Sequence, residues 1–397
     1  MNRSELDKLQ LLPNDELQLR LRRLRNLMGG AGIDALLISS NANKYYLTGR
    51  VFAGYIFIPA EGQPLYGVRR PTVLHGDNVT PIRKIEEFPA LTGFTAGRLG
   101  LEMSSATYST VIRIEKAFGD AIVYRDASSI MAQARAVKTE YELEKIRISG
   151  VKQTRLYERI PRLYEPGMRD IDLQIEIERT ARCEGCLGQF RINGDEMELF
   201  MGSILAGDNA DSPSPYDFAM GGAGLDPSMP VGADGSLIRQ GESVMVDVNG
   251  NFTGYMTDMT RCFTLRNDLP QRALDAHQLS IDICDRFAQE GRPGVEAKTL
   301  YEMAHKMAAD AGFENEFMGH RQHAGFVGHG LGIEINELPV IAPRSKAVLE
   351  AGNVIALEPK FVIPGVGAVG IENTYIVKSE GPMECVTHAP REIISFE

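Results

Sequence analysis

Four acidic residues and one histidine stand where strands or glycine-rich turns would fix them: Asp247, Asp258, His329, Glu358 and Glu372. Asp247 and Asp258 lie eleven positions apart in apolar runs, 243–248 and 255–265, joined by an Asn- and Gly-rich turn centred between Phe252 and Thr253. Symmetry about that turn makes them cross-strand neighbours. Glu358 and Glu372, fourteen apart, flank a second turn, Pro364-Gly365-Val366-Gly367, and should also face each other. Like charges opposed across antiparallel strands repel, so two such pairs in apolar strands destabilise the fold unless something positive lies between them. Divalent metal is the simplest compensation. Four carboxylates offset two dications, and His329, within Val327-Gly-His-Gly-Leu-Gly332, completes a dinuclear site, its flanking glycines letting the backbone approach closely. Mainly oxygen donors with one nitrogen suit manganese, cobalt, iron or zinc better than calcium. The plainer alternative is a salt bridge, for which Arg261 or Lys360 could serve.

These residues need a scaffold of strands with covering helices. Helices are expected over 128–164, 170–183, 269–290 and 295–311, the first stopped by Pro166-Gly167. With strands over 243–248, 255–265, 354–362 and 369–377, the second half reads as α+β with antiparallel strands. Residues 204–235 are loop-like, crowded with Gly, Pro, Ser and Asp. The first part alternates a helix at 15–28, strands at 35–38, 55–59 and 65–68, a helix at 105–118 and a strand at 121–124, an α/β domain. The boundary falls near residue 137, giving domains 1–137 and 138–397.

A chain of 397 residues fits two or three domains at about 100–200 residues each. Against 53 Asp and Glu stand 42 Lys and Arg, a net charge of −11 with no basic block, which argues against a nucleic-acid partner. No apolar run approaches the roughly 20 residues that span a bilayer. The opening 25 residues are charged and Leu-rich, so no secretory leader is expected, and five scattered cysteines fit a reducing cytoplasm. Cys183 and Cys186 have the spacing of half a redox or zinc motif, but with no second pair they read as free thiols. Residues 219–224, Ala-Met-Gly-Gly-Ala-Gly, lack the strand and lysine of a phosphate loop and read as a pocket wall or a surface loop.

Asp247, Asp258 followed by Met-Thr-Arg, His329 in Gly-His-Gly-Leu-Gly, Glu358 before Pro and Glu372 after Gly-Ile together resemble the five-ligand set of the M24-type "pita-bread" metallopeptidases. That family includes Xaa-Pro aminopeptidases, prolidases, methionine aminopeptidase and creatinase. Tyr46-Leu-Thr-Gly49 and the segment around Arg135, Lys138 and Glu142 resemble the amino-terminal domain and linker of its Xaa-Pro and creatinase branch. The resemblance implies an α/β amino-terminal domain followed by a pita-bread catalytic domain. It implies two divalent ions, one held by Asp247, the other by His329 and Glu358, with Asp258 and Glu372 bridging, and hydrolysis of Xaa-Pro peptide bonds by water that the ions activate. Glu358 would also transfer a proton, and the catalytic candidates are Glu358, Asn336 and Glu337. The implied substrate is a short peptide or other small molecule, and the implied assembly a homodimer.

One departure matters. Family peptidases carry a second histidine seven residues after the metal histidine, where this chain has Asn336. They also carry one upstream of the first aspartate, and this chain has none between His75 and His277. Asparagine donates a hydrogen bond but cannot shuttle a proton. His320 or His323 could substitute, although each reads more simply as a surface or core histidine. The change favours, as the alternative, a creatinase-like hydrolase or a dimethylsulfoniopropionate-lyase-like enzyme on the same scaffold. A non-catalytic binding protein is a third reading, against which the intact ligand set speaks.

Overall fold

The computed structural model describes residues 7–192 and 199–397, and the chain divides into two compact units, Met1–Arg135 and Ala136–Glu397. The first contains α1 (Asn14–Ala31), β1 (Ala35–Ile38), α2 (Asn41–Thr48), β2 (Ala53–Pro59), β3 (Leu65–Arg70), β4 (Val79–Pro81), β5 (Gly97–Leu101), α3 (Tyr108–Phe118) and β6 (Ile122–Asp126). Its strands form one mixed sheet in the order β4-β3-β2-β1-β5-β6. β1, with no polar residue and all four positions buried, lies between antiparallel β2 and parallel β5. An apolar run of this kind suits a strand covered on both faces. The buried Glu102 carboxylate accepts from the Ser40 backbone N–H (2.8 Å) and hydroxyl (2.7 Å) and from the Asn43 amide (2.5 Å), pinning the start of α2.

Helix α4 (Ser128–Ala136) crosses into the second unit, which continues with α5 (Glu140–Tyr157), α6 (Asp170–Cys183), β7 (Gly202–Ala206), β8 (Val244–Asn249), β9 (Asp258–Thr264), α7 (Gln271–Glu290) and α8 (Ala297–Asp310). Then follow β10 (Gly328–Gly330), β11 (Glu337–Ile341), β12 (Val354–Leu357), β13 (Lys360–Ile363), β14 (Gly367–Gly370), β15 (Asn373–Ile376), β16 (Glu384–Cys385) and β17 (Ile394–Ser395). The single long helix expected over 128–164 is two helices. Thr139 stops the chain and restarts it: its side chain accepts from the Glu142 N–H while Glu142 answers the Thr139 N–H, a capping box. Antiparallel pairing holds throughout the sheets β11-β10-β12-β15-β16 and β13-β14. In the sheet β17-β9-β8-β7, only β17 departs, running parallel to β9.

Among the described residues, three apolar clusters lock these sheets, one of them made of Leu205, Met245 and Cys262 against Val362 and Ala368. Ala273, Ile283 and Phe287 of α7 and Leu300 of α8 belong to a second with Ile355, Phe361 and Val369; Leu156, Leu173 and Ile177 join Ile204, Val246 and Phe263 in the third. Each fully buried side chain of this size contributes about 1.5–3 kcal/mol. The sheets meet where backbone is exchanged: the Glu372 N–H donates to Thr260 O (3.1 Å), and Thr374 Oγ1 accepts from the Asp258 N–H (2.8 Å) while donating to Asp258 O (2.9 Å). Two acidic residues therefore sit on the seam itself.

His277 of α7 holds β14 from behind. Its Nδ1 accepts the Gly370 N–H (3.1 Å) and its Nε2 donates to Arg391 O (2.7 Å), which fixes the neutral tautomer. Burial depresses its pKa from 6.5 to about 4. The unfolded chain thus takes up a proton that the folded chain refuses, so this residue costs stability as pH falls from 6.5 towards 4. In urea unfolding, the loss over that window should be smaller in His277→Gln than in the wild type, by up to about 3 kcal/mol. Equal slopes would show that His277 is not the group responsible.

Candidate metal centre

Strand pairing decides which acids meet. In the first hairpin Asp247 pairs with Thr260, and Asp258 with Asn249. The two aspartates are diagonal neighbours rather than the directly opposed pair expected from the turn, whose centre falls one residue later. The register shift is two residues, the full period of a strand, so both side chains keep the same face. In the second hairpin the expectation holds. Leu357 pairs with Asn373 and Lys360 with Gly370, which leaves Glu358 and Glu372 facing each other in the gap between the two ladders.

His329 enters from β10, between Val340 of β11 and Ala356 of β12. A Cβ on Gly330 would lie 2.2 Å from Leu338 O, and one on Gly328 would lie 2.6 Å from Ala356 O. The glycines are required by this close approach. His329 Nδ1 lies 3.1 Å from its neighbour's carbonyl, Gly330 O, and donates to it, which presents the Nε2 lone pair 3.5 Å from Glu358 Oε1.

Ligand atoms of Asp258, His329 and Glu372 lie within 4.8 Å of one another, as do those of Asp247, Glu358 and Glu372. Glu372 Oε2 accepts from the Thr260 hydroxyl at 2.7 Å, whereas the buried Oε1 has no hydrogen-bond partner. An orphaned carboxylate oxygen beside an imidazole nitrogen and a second carboxylate is the donor set a divalent cation requires, and these residues fit one. The second trio differs, because it already surrounds a cation. Lys360 Nζ lies 2.7 Å from Asp247 Oδ2, 2.8 Å from Glu358 Oε2 and 3.3 Å from Glu372 Oε2.

Of the two counter-ions weighed in the sequence, Lys360 turns inward and Arg261 does not. Arg261 follows Thr260 on β9 and so points to the opposite face, where its guanidinium donates to the carbonyls of Glu372, Ala389 and Pro390 and to Asn373 Oδ1. The signal for Lys360 was its place two residues after Glu358, which puts both side chains on one face of an extended segment.

Burial, then the charges of Glu372 and Asp247, holds the Asp258 carboxyl well above its ordinary range. Burial likewise raises Glu358 from 4.5 to about 7 and, with the negative charge of Glu358, raises Glu372 to about 8. Lys360 is pushed up rather than down: burial alone would lower it, but Asp247, Glu358 and Glu372 together outweigh that.

Above the cluster opens a pocket of about 350 Å³ whose lining includes Asp247, Asp258, His329, Glu358 and Asn336. Its walls are apolar, with Phe190, Phe218, Met220, Phe326, Ile335 and Val340 among them. Ala219 and Met220 make the Gly-rich segment 219–224 part of the wall. Asp217, missed in the sequence, also lines the pocket and accepts the Gly325 N–H at 3.1 Å. Glu337 corrects an expectation. Its carboxylate accepts the N–H groups of Ile333 and Glu334 (both 3.0 Å) and bridges to buried Lys138 at 3.0 Å, so it ties down the turn before β11 instead of lining the pocket. His320 pairs with Asp211 (3.0 Å) and His323 lies 2.9 Å from Phe317 O; neither lines the pocket, so neither takes the place of the histidine that Asn336 replaces. Cys183 is exposed, Cys186 is buried, and both are free.

Comparison with known proteins agrees with this architecture. Residues 144–379 match the model of metallopeptidase family M24, and residues 20–137 match the creatinase/prolidase N-terminal domain. An uncharacterized peptidase of Bacillus subtilis, YqhT, is 29% identical over 386 residues, covering 95% of this chain and 99% of its own. The Xaa-Pro dipeptidase of Pyrococcus horikoshii is 25% identical over 383 residues, 94% and 98% of the two chains. Among solved structures, the Xaa-Pro dipeptidase from Bacillus anthracis superposes with a TM-score of 0.79 at 23% identity, covering 95% and 99% of the chains. The prolidase from P. horikoshii gives 0.77 at 22% identity, with 95% and 100% covered. These likenesses give the pita-bread fold of the second unit, and the matched models give the lineage: the chain belongs to metallopeptidase family M24.

Proposed function

We propose that this metallopeptidase hydrolyses short peptides at Xaa-Pro bonds, with Asp258, His329, Glu358 and Glu372 holding the catalytic metal. The observation that supports it most is the buried, unpartnered Glu372 Oε1 beside His329 and Asp258, two residues that line an apolar pocket. Manganese, cobalt, iron or zinc fits this donor set. Bound there, such an ion supplies a Lewis acid and lowers the pKa of water into the neutral range.

The chain's own side chains do the rest. The apolar walls accept a proline ring and exclude bulk water from the reacting carbonyl. Asp217 and Asp247 face the pocket with negative charge, which draws in a peptide's α-ammonium. The Asn336 amide can donate a hydrogen bond to the carbonyl oxygen as charge develops on it. Glu358, which lines the pocket beside the His329 nitrogen, is placed to take a proton from the nucleophile and return it to the leaving nitrogen.

One feature favours a second reading, a non-peptide substrate cleaved on the same scaffold. A dipeptide ends in a carboxylate, yet no lysine or arginine is found among the described residues lining the pocket, and Asn336 stands where a histidine would bind the peptide. A substrate panel separates the two. Protein reconstituted with manganese or cobalt should release the amino-terminal residue from Xaa-Pro peptides. Metal-dependent turnover confined to non-peptide amidines or sulfonium compounds would overturn the peptide reading.

A further inference from the structure

We infer that the Lys360 ammonium is a built-in replacement for one of the two metal ions, so that this chain holds a single divalent cation, between Asp258, His329, Glu358 and Glu372. The inference rests on the metal-binding reading above and narrows it. A lysine ammonium has three N–H donors, and Lys360 has three carboxylate acceptors: Asp247 at 2.7 Å, Glu358 at 2.8 Å and Glu372 at 3.3 Å. Its side chain has no exposure to solvent, so the charge has no water to retreat into. Asp247 is the residue that the two-ion arrangement gives to the first metal alone. Here its Oδ2 is taken by the ammonium. A dication placed on Asp247 and Glu372 would share both carboxylates with a positive nitrogen already in contact with them, and the two cations would repel at close range.

The other half of the cluster remains open to metal. Glu372 Oε1 is unpartnered, Glu358 Oε1 faces His329 Nε2 at 3.5 Å, and none of the Lys360 contacts reaches Asp258 or His329. The charges agree. Four carboxylates, one ammonium and one dication leave −1, whereas a second dication would leave +1 in a buried site. Hairpin geometry fixes the lysine: its cross-strand partner is Gly370, where a Cβ would lie 2.7 Å from Pro359 O, so Gly370 admits no side chain to compete for the space.

The test is metal stoichiometry. Chelator-stripped full-length protein is titrated with manganese, and bound metal is counted by elemental analysis after desalting. One equivalent per chain supports the inference. Two equivalents in the wild type overturn it while leaving the metal reading intact, and none overturns the metal reading itself. Electron paramagnetic resonance gives a second readout: isolated Mn(II) gives a six-line signal, and an exchange-coupled pair gives a multiline one. Asp247→Asn should leave the single equivalent in place with less than about a tenfold change in affinity. Loss of bound manganese in Asp247→Asn would count against the inference. In Lys360→Ala the vacated space should admit a second equivalent and the coupled signal, and a folded Lys360→Ala still limited to one would also count against it.

Discussion

Asp258→Asn should abolish turnover and, in metal-free protein, make the fold harder to unfold. The first half follows from the site: Asp258 is one of the few groups able to complete the coordination at His329 and Glu372. Loss of kcat/KM on the order of a thousandfold or more, about 4 kcal/mol of transition-state stabilisation, is expected. The second half follows from the electrostatics. Asp258 is buried beside Glu372 and Asp247, and its carboxyl is raised far above 3.8; Glu358 and Glu372 rise from 4.5 to about 7 and about 8. For acids with raised folded pKa values, stability is fully present below the unfolded values and is lost as pH rises through the folded ones. Metal-free wild type should therefore weaken from about pH 4.5 to pH 8, while Lys360 remains charged throughout. Asparagine removes one charge from the cluster, so Asp258→Asn should be more stable by about 1–3 kcal/mol at pH 8. Urea unfolding of chelator-treated proteins across that range is the measurement. A metal-free variant less stable than wild type at pH 8 would mean that repulsion among these acids is not what the cation relieves.

Lys138→Met should cost about 3–5 kcal/mol, because it takes the ammonium away from the buried Glu337 carboxylate. The pair is 3.0 Å apart with side-chain exposures of 1% and 2%, so water cannot take over the lost contact. Its effect should reach catalysis at one remove. Glu337 Oε1 collects the N–H groups of Ile333 and Glu334, and the two residues just before it, Ile335 and Asn336, line the pocket. Without its tether the turn carrying Asn336 loosens, and KM should rise more than kcat falls. Lys138→Arg, which retains the charge, should recover most of the stability. The combination to look for in melting curves and steady-state kinetics is a stability loss with a KM-weighted defect. A stable Lys138→Met enzyme with normal KM would remove Glu337 from any role in positioning the pocket.

How much of this the sequence disclosed depended on what each residue answers to. His329 was legible because its glycines answer to local crowding, which composition reports directly. Glu358 and Glu372 were legible because their hairpin is symmetric about Gly365. The Asp247 and Asp258 pairing missed by two residues, since the eight-residue connection 250–257 leaves the turn centre to backbone hydrogen bonds: the Gly250 N–H donates to Thr257 O at 2.7 Å. The error did no harm to the face, because strands repeat every two residues. Glu337 misled because adjacency in sequence to Asn336 says nothing of direction, and neighbours on a strand point opposite ways. Lys360 was visible only as a counter-ion; that it reaches three carboxylates at once depends on both sheets, and pattern along one strand could not supply that. The helix break at Thr139 was signalled by Glu142 three residues on, but was masked by the uninterrupted run of helix-forming residues around it.

The metal-binding candidates stand on or beside paired strands, whereas much of the pocket wall, including Asp217, Phe218 and Ala219, comes from the long connection between β7 and β8. Reaction and appetite are thereby entrusted to different parts of the molecule. Substitutions at the pocket-facing positions of this connection would reshape the guest's seat without touching the acids and histidine on the strands, although Ala210 and Met220 of the same connection are packed in the core.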